Sequence, residues 1–302
     1  MAFNTAIDHG IQTWKVAVCI AVLGFLALSG ATHTLRIYHW FLLLAIPAAL
    51  VAAERGRRFF LDWAPLFLTW LTYDRLRLVQ PLLLGRVAVE GPYVLERWLF
   101  GWLGAGDIPA HAARAWLAAH SGTLLGASLL LTAQLVYFSH LFSYPLLFLV
   151  WWLRSRSRER DRERFTRHAW AFAMLNALGF LGYVLFPLAP PWWVSLYGHA
   201  QPTPALIAGA HLSAAMDGTL VERMIATAPN WFAAFPSLHG GYPVLLFLLN
   251  WRERNRWLLW SIGVYGVAMW AATVVLNQHY IIDLIAGALL AVAVAAFFER
   301  RR

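Results

Sequence analysis

Apolar runs recur along this 302-residue chain at about the length that crosses a bilayer core, ~20 residues of helix, and nothing else in it restricts the fold so strongly. They lie at roughly 14 to 30, 37 to 53, 59 to 73, 123 to 153, 169 to 188, 239 to 251, 257 to 276 and 280 to 298. With 60% hydrophobic and only 13% charged residues, a soluble domain is excluded. The expected fold is an all-α, polytopic membrane bundle of about eight transmembrane helices. Two spans are weak: 59 to 73 is interrupted by Asp62 and Pro65, and 239 to 251 is short. A short span that begins on polar residues can enter from a cavity, because irregular backbone at membrane depth must line water or protein.

Charge sets the expected orientation. Sixteen of the 23 arginines fall in alternate connections: Arg55 to Arg58, Arg154 to Arg167, Arg252 to Arg256, and Arg300 to Arg302. The positive-inside rule makes those connections cytoplasmic, and Lys15 ahead of the first span agrees. Both termini are then inside, and 74 to 120 and 189 to 238 are outside. The mixed-charge run RSRSRERDRERFTR at 154 to 167 reads as a cytoplasmic loop, so no nucleic-acid partner is expected despite the net charge of +9. The outer segments carry prolines and aromatics: 81 to 120 reads as short interfacial helices, and FPLAPPWW at 186 to 193 as part of a cap where tryptophan suits the interface. The single cysteine, Cys19, permits no intrachain disulfide. There is no repeat of fixed period and no cleavable signal pattern.

Two motifs carry chemistry, and the topology puts both on the outer face. FPSLHGG starts the sixth span and NQHYIID, 277 to 283, the eighth. His279 and Asp283 are four apart, which places them on one helix face one turn deep. The carboxylate can take the proton of one imidazole nitrogen and leave the other free to attack. In the first motif, the amides of Ser237, Leu238 and His239 at a helix start can face an anion, and Gly240 and Gly241 admit a ligand close to the backbone. His239 then stands beside the anion as a general acid. The simpler alternatives are a helix cap for Ser237, a chance H-x-x-x-D, and for His140 a satisfied interior donor. Joint placement on one membrane face, with an intramembrane aspartate that needs a partner, favours catalysis. Neither motif offers the ligand count of a catalytic metal site, so no metal is expected.

PSLH and HYIID resemble the second and third signature blocks of the type 2 phosphatidic acid phosphatase superfamily. AFPSLHGG, QHYIIDLIAG and FPLAPPWW are similar to its inositol phosphorylceramide synthase branch, and YDRLR at 73 to 77 and RWLFG at 97 to 101 match more loosely. The resemblance implies a six-helix catalytic core over 121 to 302, preceded by a 1 to 120 region of two to three helices and an outer interfacial segment. It also implies cofactor-free, metal-independent transfer through a phosphohistidine: His279 as nucleophile, Asp283 orienting it, His239 as acid. The plain phosphatase pattern is broken, since its Ser-Arg pair is Ala272 and Thr273 here and its lysine position is Tyr73. Fewer fixed cations suit a phosphodiester better than a monoester. An outer arginine can fill the gap, with Arg77 first and Arg75, Arg97 and Arg223 behind it; interfacial anchoring is the competing reading for each.

These residues predict a membrane lipid phosphotransferase that moves a phosphorylated head group, phosphoinositol being one candidate, from a phospholipid to an alcohol. Ser237, Leu238, Gly240 and Arg77 are expected to bind the phosphate. Water in place of the alcohol would make it a lipid phosphate or polyprenyl pyrophosphate phosphatase, through the same covalent step. A noncatalytic transporter or scaffold predicts charges midway through several spans, which most of these lack. The expected partners are the bilayer and a phospholipid or lipid phosphate; protein partners are left open.

Overall fold

In the computed structural model the described residues are 2–44, 54–155, 159–209, 220–252 and 256–300. They form α1 Ala2–Ala31, α2 Glu54–Leu83, α3 Glu90–Phe100, α4 Pro109–Ala119, α5 Leu124–Ser155, α6 Glu159–Leu185, α7 Pro191–Tyr197, α8 Pro204–Ala208, α9 Leu220–Thr227, α10 Leu238–Asn250, α11 Arg256–Val275 and α12 Ile281–Glu299. Short 3-10 helices cover Ile37–Leu44, Leu84–Arg86 and Gly101–Gly104. The fold is all-α; the extended residues Ala88, Leu188 and Ala233 pair only as isolated bridges.

Five of the described helices are long and apolar enough to cross a membrane, within α1, α5, α6, α11 and α12. The other three expected spans differ. The second half of 37 to 53 lies outside the described residues, and 59 to 73 is the middle of the longer α2. The third, α10, has 13 residues and reaches only about 20 Å at 1.5 Å per residue.

The chain divides into two compact units, Met1–Leu68 and Thr69–Arg302. The division comes well before the expected boundary at 120/121, because the segment that follows Thr69 packs within the second unit. In the first unit α1 ends at a left-handed His33, φ 53°. Trp14 packs on Phe60 with ring centroids 5.6 Å apart, and buried His39 meets the edge of Phe25.

In the second unit, Leu76 of α2 joins Leu175 and Phe180 of α6, Leu245 of α10 and Val294 of α12 in one buried cluster. Met269 and Ala272 of α11 join Ala133 and Tyr137 of α5 in another. Six helices therefore surround the site: the last turns of α2, then α5, α6, α10, α11 and α12. The C-terminal end of α10 is tied to α6: Arg167 donates to the Leu249 carbonyl at 3.2 Å, Asn250 and His168 meet at 3.1 Å, and Arg164 donates to Asn250. Cationic donors at a helix C-terminus oppose its dipole.

The connections at the opposite end of these helices form a cap. Ala88 donates to the Pro187 carbonyl, Ala189 to Ala88, and Leu188 to Phe232, so three distant segments are stitched at one point. Trp192 and Trp193 fill the cap, edge-on to Trp231 and Phe232. The WW pair is thus cap core rather than membrane interface, since its rings are almost wholly buried. In the segment 81 to 120, by contrast, Trp98 and Trp102 are 79% and 78% exposed.

Candidate active site

Helices α10 and α12 meet backbone to backbone. A Cβ on Gly287 would lie 1.8 Å from the Ser237 carbonyl, one on Gly240 2.5 Å from the Leu284 carbonyl, and one on Gly241 2.9 Å from the Gly287 carbonyl. The glycines after His239 therefore serve helix packing rather than ligand approach, which corrects the sequence expectation for Gly240 and Gly241. Ser237 also joins the helices, since its amide donates to the Asp283 carbonyl at 2.9 Å. This approach brings the two motifs into contact.

The amide cradle expected at 237 to 239 differs as well. Ser237 is a working N-cap: its side chain accepts from the Gly240 amide at 3.4 Å, and its carbonyl accepts from Gly240 and Gly241 at 3.1 Å. The Ser237 amide is committed to Asp283, and the Leu238 amide lies against the Tyr183 hydroxyl. Of the three, only the His239 amide lacks a protein acceptor among the described residues. A close-packed helix start satisfies its donors within the protein, so Ser237, Leu238 and Gly240 do not form an open anion cradle here.

His279 sits ahead of its helix. α11 ends in a reversal at Asn277, φ 61°, a left-handed position that asparagine tolerates. Gln278 donates to the Thr273 carbonyl at 2.8 Å, Trp192 donates to the Asn277 carbonyl, and the Asn277 amide group reaches Ser195 at 2.9 Å. Tyr280 is the N-cap of α12, and its amide donates to Asp283 at 3.1 Å. His279 therefore approaches Asp283 across a cap, not along a helical turn. Its Nδ1 is 3.5 Å from Asp283 Oδ2, and its Nε2 is 3.1 Å from Nδ1 of His239. Asp283 is fully buried, and His279 nearly so.

The three residues read as catalytic thus form one contiguous set. A proton on His279 Nδ1, the nitrogen that faces Asp283, would leave the Nε2 lone pair to accept from Nδ1–H of His239. His239 is wedged between Tyr137, stacked at 4.9 Å, and His140, edge-on at 4.6 Å. His140 Nδ1 meets the Tyr137 carbonyl. Sequence reasoning gave His140 an interior role and passed over Tyr137. Their signal was the polar stripe Tyr137, His140, Tyr144 at helical spacing in an otherwise apolar run.

Arg77 lies on another contact set. It donates to Asp74 at 3.2 Å, to the Thr227 carbonyl at 2.6 Å and to the Ala228 carbonyl at 3.5 Å. Asp74, almost completely buried, also pairs with Arg75. Arg97 donates to the Gly106 carbonyl at 2.6 Å, and the side chain of Arg223 is outside the described residues.

The neighbour of Arg97 was not anticipated. Glu96 is 1% exposed, and its two oxygens accept from the amides of Ile281 at 2.8 Å and Ile282 at 3.1 Å. Burial, together with the Asp283 charge, pushes its carboxyl up to about 7 against the pull of those amides. No group of three or more metal-ligating side chains occurs among the described residues.

Comparison with known proteins identifies the family. The model of the PAP2 superfamily matches residues 107–297. A phosphoinositol dihydroceramide synthase of Bacteroides thetaiotaomicron is 28% identical over 296 residues, covering 95% of this chain and 92% of that protein. The inositol phosphorylceramide synthase catalytic subunit aur1 of Schizosaccharomyces pombe is 32% identical over 148 residues, 45% of this chain and 34% of its own. The inositol phosphorylceramide synthase of Candida albicans is 33% identical over 132 residues, 42% and 28%. The chain therefore spans about a third of the length of these fungal relatives. No solved structure matches it.

Proposed function

This chain belongs to the PAP2 superfamily and is a lipid phosphotransferase of the membrane, and we propose that the group it transfers is phosphoinositol. The single observation that carries the chemistry is the His239–His279–Asp283 chain of contacts at 3.1 and 3.5 Å. Nε2 of His279 attacks phosphorus in line with the oxygen of the leaving lipid alcohol. The P–O bond breaks as the His239 proton passes to that oxygen, giving a phosphohistidine. The acceptor hydroxyl then attacks phosphorus, gives its proton to His239, and the P–N bond breaks. Asp283 keeps the attacking nitrogen unprotonated and stabilises the imidazolium that develops. The entering phosphoryl group must part the two imidazoles, since they occupy each other's hydrogen-bonding positions beforehand.

The relative that covers almost the whole chain is named for dihydroceramide, which supports a sphingoid-type alcohol as acceptor. Positive charge around the phosphate oxygens comes from an outer arginine. Arg77 is the first choice because Asp74 already orders its guanidinium. The active site opens outward, with both termini cytoplasmic, a sidedness supported by the arginine distribution. Residues 121 to 302 hold the catalytic histidines and 1 to 120 supply the remaining helices and part of the cap. Membership of an enzyme family and the paired histidines set the transporter reading aside.

The test is purified protein with labelled phosphatidylinositol, with and without dihydroceramide, in chelator. Transfer of the label to the dihydroceramide is expected; release of the phosphorylated head group to water alone would make the enzyme a phosphodiester hydrolase.

A further inference from the structure

The amides of Tyr280, Ile281 and Ile282, three in a row at the start of α12, all donate to carboxylate oxygens. The first goes to Asp283 of the same turn, the other two to Glu96. A helix N-terminus attracts negative charge, yet its donors are ordinarily satisfied by water or by one local cap. Here the second acid comes from α3, 185 residues away in sequence for Ile281, and it is almost wholly removed from water. A carboxylate desolvated to that extent is retained at a cost unless its hydrogen bonds are made. Both of its oxygens are used.

From this we infer that Glu96 is a positioning residue for the phosphotransfer site: its carboxylate clamps the first turn of α12 and so sets His279 and Asp283 against His239. The inference rests on His279 being the nucleophile. The clamped amides lie between the two groups that must stay aligned, for Ile281 follows His279 by two positions and Ile282 directly precedes Asp283. Rotation of that turn would alter both the 3.5 Å contact to Asp283 and the 3.1 Å contact to His239. The clamp is itself held from outside. Val94, Leu95, Trp98 and Leu99 expose the other side of α3, an apolar face with aromatic residues of the kind that lies at a membrane interface.

Three variants test this. Glu96→Gln keeps the shape but turns an NH2 toward one of the two amides. It is expected to lower kcat about tenfold or more, with KM within about twofold and the protein still folded in detergent, as loss of alignment without loss of binding requires. Glu96→Asp keeps the charge with a shorter reach and should recover part of the loss. Ile281→Pro removes one donor from the other side. Proline suits the first helical position, and Tyr280, φ −72° and ψ 156°, already has the extended conformation that precedes proline. Its kcat should fall about threefold or more. In the double variant Glu96→Gln with Ile281→Pro the losses should not multiply, because both remove one hydrogen bond.

A second readout does not depend on the lipid. Orthovanadate, a stand-in for the phosphoryl group in flight, should bind wild type and lose about tenfold in affinity in Glu96→Gln. Folded Glu96→Gln with wild-type kcat and vanadate affinity would overturn the clamp. So would losses that multiply fully in the double variant, or, should Glu96→Gln not fold, a folded Ile281→Pro at wild-type kcat. Head-group release to water by an otherwise normal wild type would overturn the transferase reading and leave the clamp standing. Wild-type vanadate binding by His279→Ala would remove the nucleophile assignment and, with it, the clamp.

Discussion

Gly287→Ala tests whether the contact of α10 and α12 sets catalytic geometry. Alanine is a better helix former than glycine by about 1 kcal/mol, so in an uncrowded helix the change would stabilise. At Gly287 the new Cβ would lie 1.8 Å from the Ser237 carbonyl oxygen and 3.2 Å from the Gly241 nitrogen. A carbon–oxygen contact relaxes only at about 3.3 Å, so the helices must separate locally by about 1.5 Å. Both obstructing atoms are backbone, and no rotamer change relieves them. Overpacking of this kind costs about 1 to 3 kcal/mol. The same displacement, passed to the imidazoles, stretches their 3.1 Å contact beyond hydrogen-bonding distance. A misplacement of that size costs about 10² in rate. Thermal unfolding in detergent and single-substrate turnover measure the two effects, with Gly263→Ala as control because its Cβ meets only Phe247 at 3.9 Å. Gly287→Ala protein that unfolds and turns over like wild type would show that the helix contact does not fix the site.

Four further outcomes are expected. His279→Ala should abolish turnover in folded protein, while Asp283→Asn should retain a fraction of it, since the imidazole stays but loses its orienting partner; near-wild-type kinetics in His279→Ala would sink the nucleophile assignment. Arg77→Ala should cut turnover by about 10² with partial recovery in Arg77→Lys, and unchanged kinetics would pass the role to Arg75, Arg97 or Arg223. The Glu96 carboxyl is raised from 4.5 to about 7 on folding. The proton it holds therefore stabilises the fold fully below pH 4.5, and this contribution is lost as pH rises through about 7. Asp283 and Tyr280 face it from the start of α12 and Tyr93 lies on its own helix. The melting temperature should fall between pH 5 and 8 while activity rises, and Glu96→Gln should flatten the stability slope; an unchanged slope would refute the assignment. Cysteines at Ser121 and Arg252, both exposed, should label from opposite sides of sealed vesicles, and labelling from one side would refute the topology.

The membrane class and the juxtaposition of His239, His279 and Asp283 were legible in the chain because length, hydropathy and motif spacing encode them locally. His239, His279 and Asp283 fell together since each motif starts a helix at the same membrane face. The amide cradle was misread for an equally physical reason. Glycines after a helix start permit either a ligand or another backbone to come close, and only the fold shows that α12 is what approaches Gly240 and Gly241. Glu96 escaped notice because its partners are main-chain amides far along the sequence, which leave no trace in residue identity. Tyr137 and His140 left a faint trace, a polar stripe in an apolar run, whose meaning depends on which helix it faces. The WW pair went to the cap core because the stitched segments at 88, 188 and 233 enclose it.

The exposed face of α3 bears on how the protein is handled outside a cell. Trp98 of α3 and Trp102 of the 3-10 turn that follows it are 79% and 78% exposed, and α3 reaches the first turn of α12 through Glu96. The surrounding amphiphile is then part of the working architecture. Short-chain detergents that strip the annulus are expected to depress activity before any helix melts, and added phospholipid should restore it. Emission from Trp98, read as the difference between wild type and Trp98→Phe, gives a gauge of that environment. Emission that tracks turnover through a detergent exchange would tie solubilisation losses to this one surface, and a loss of turnover with constant emission would place them elsewhere.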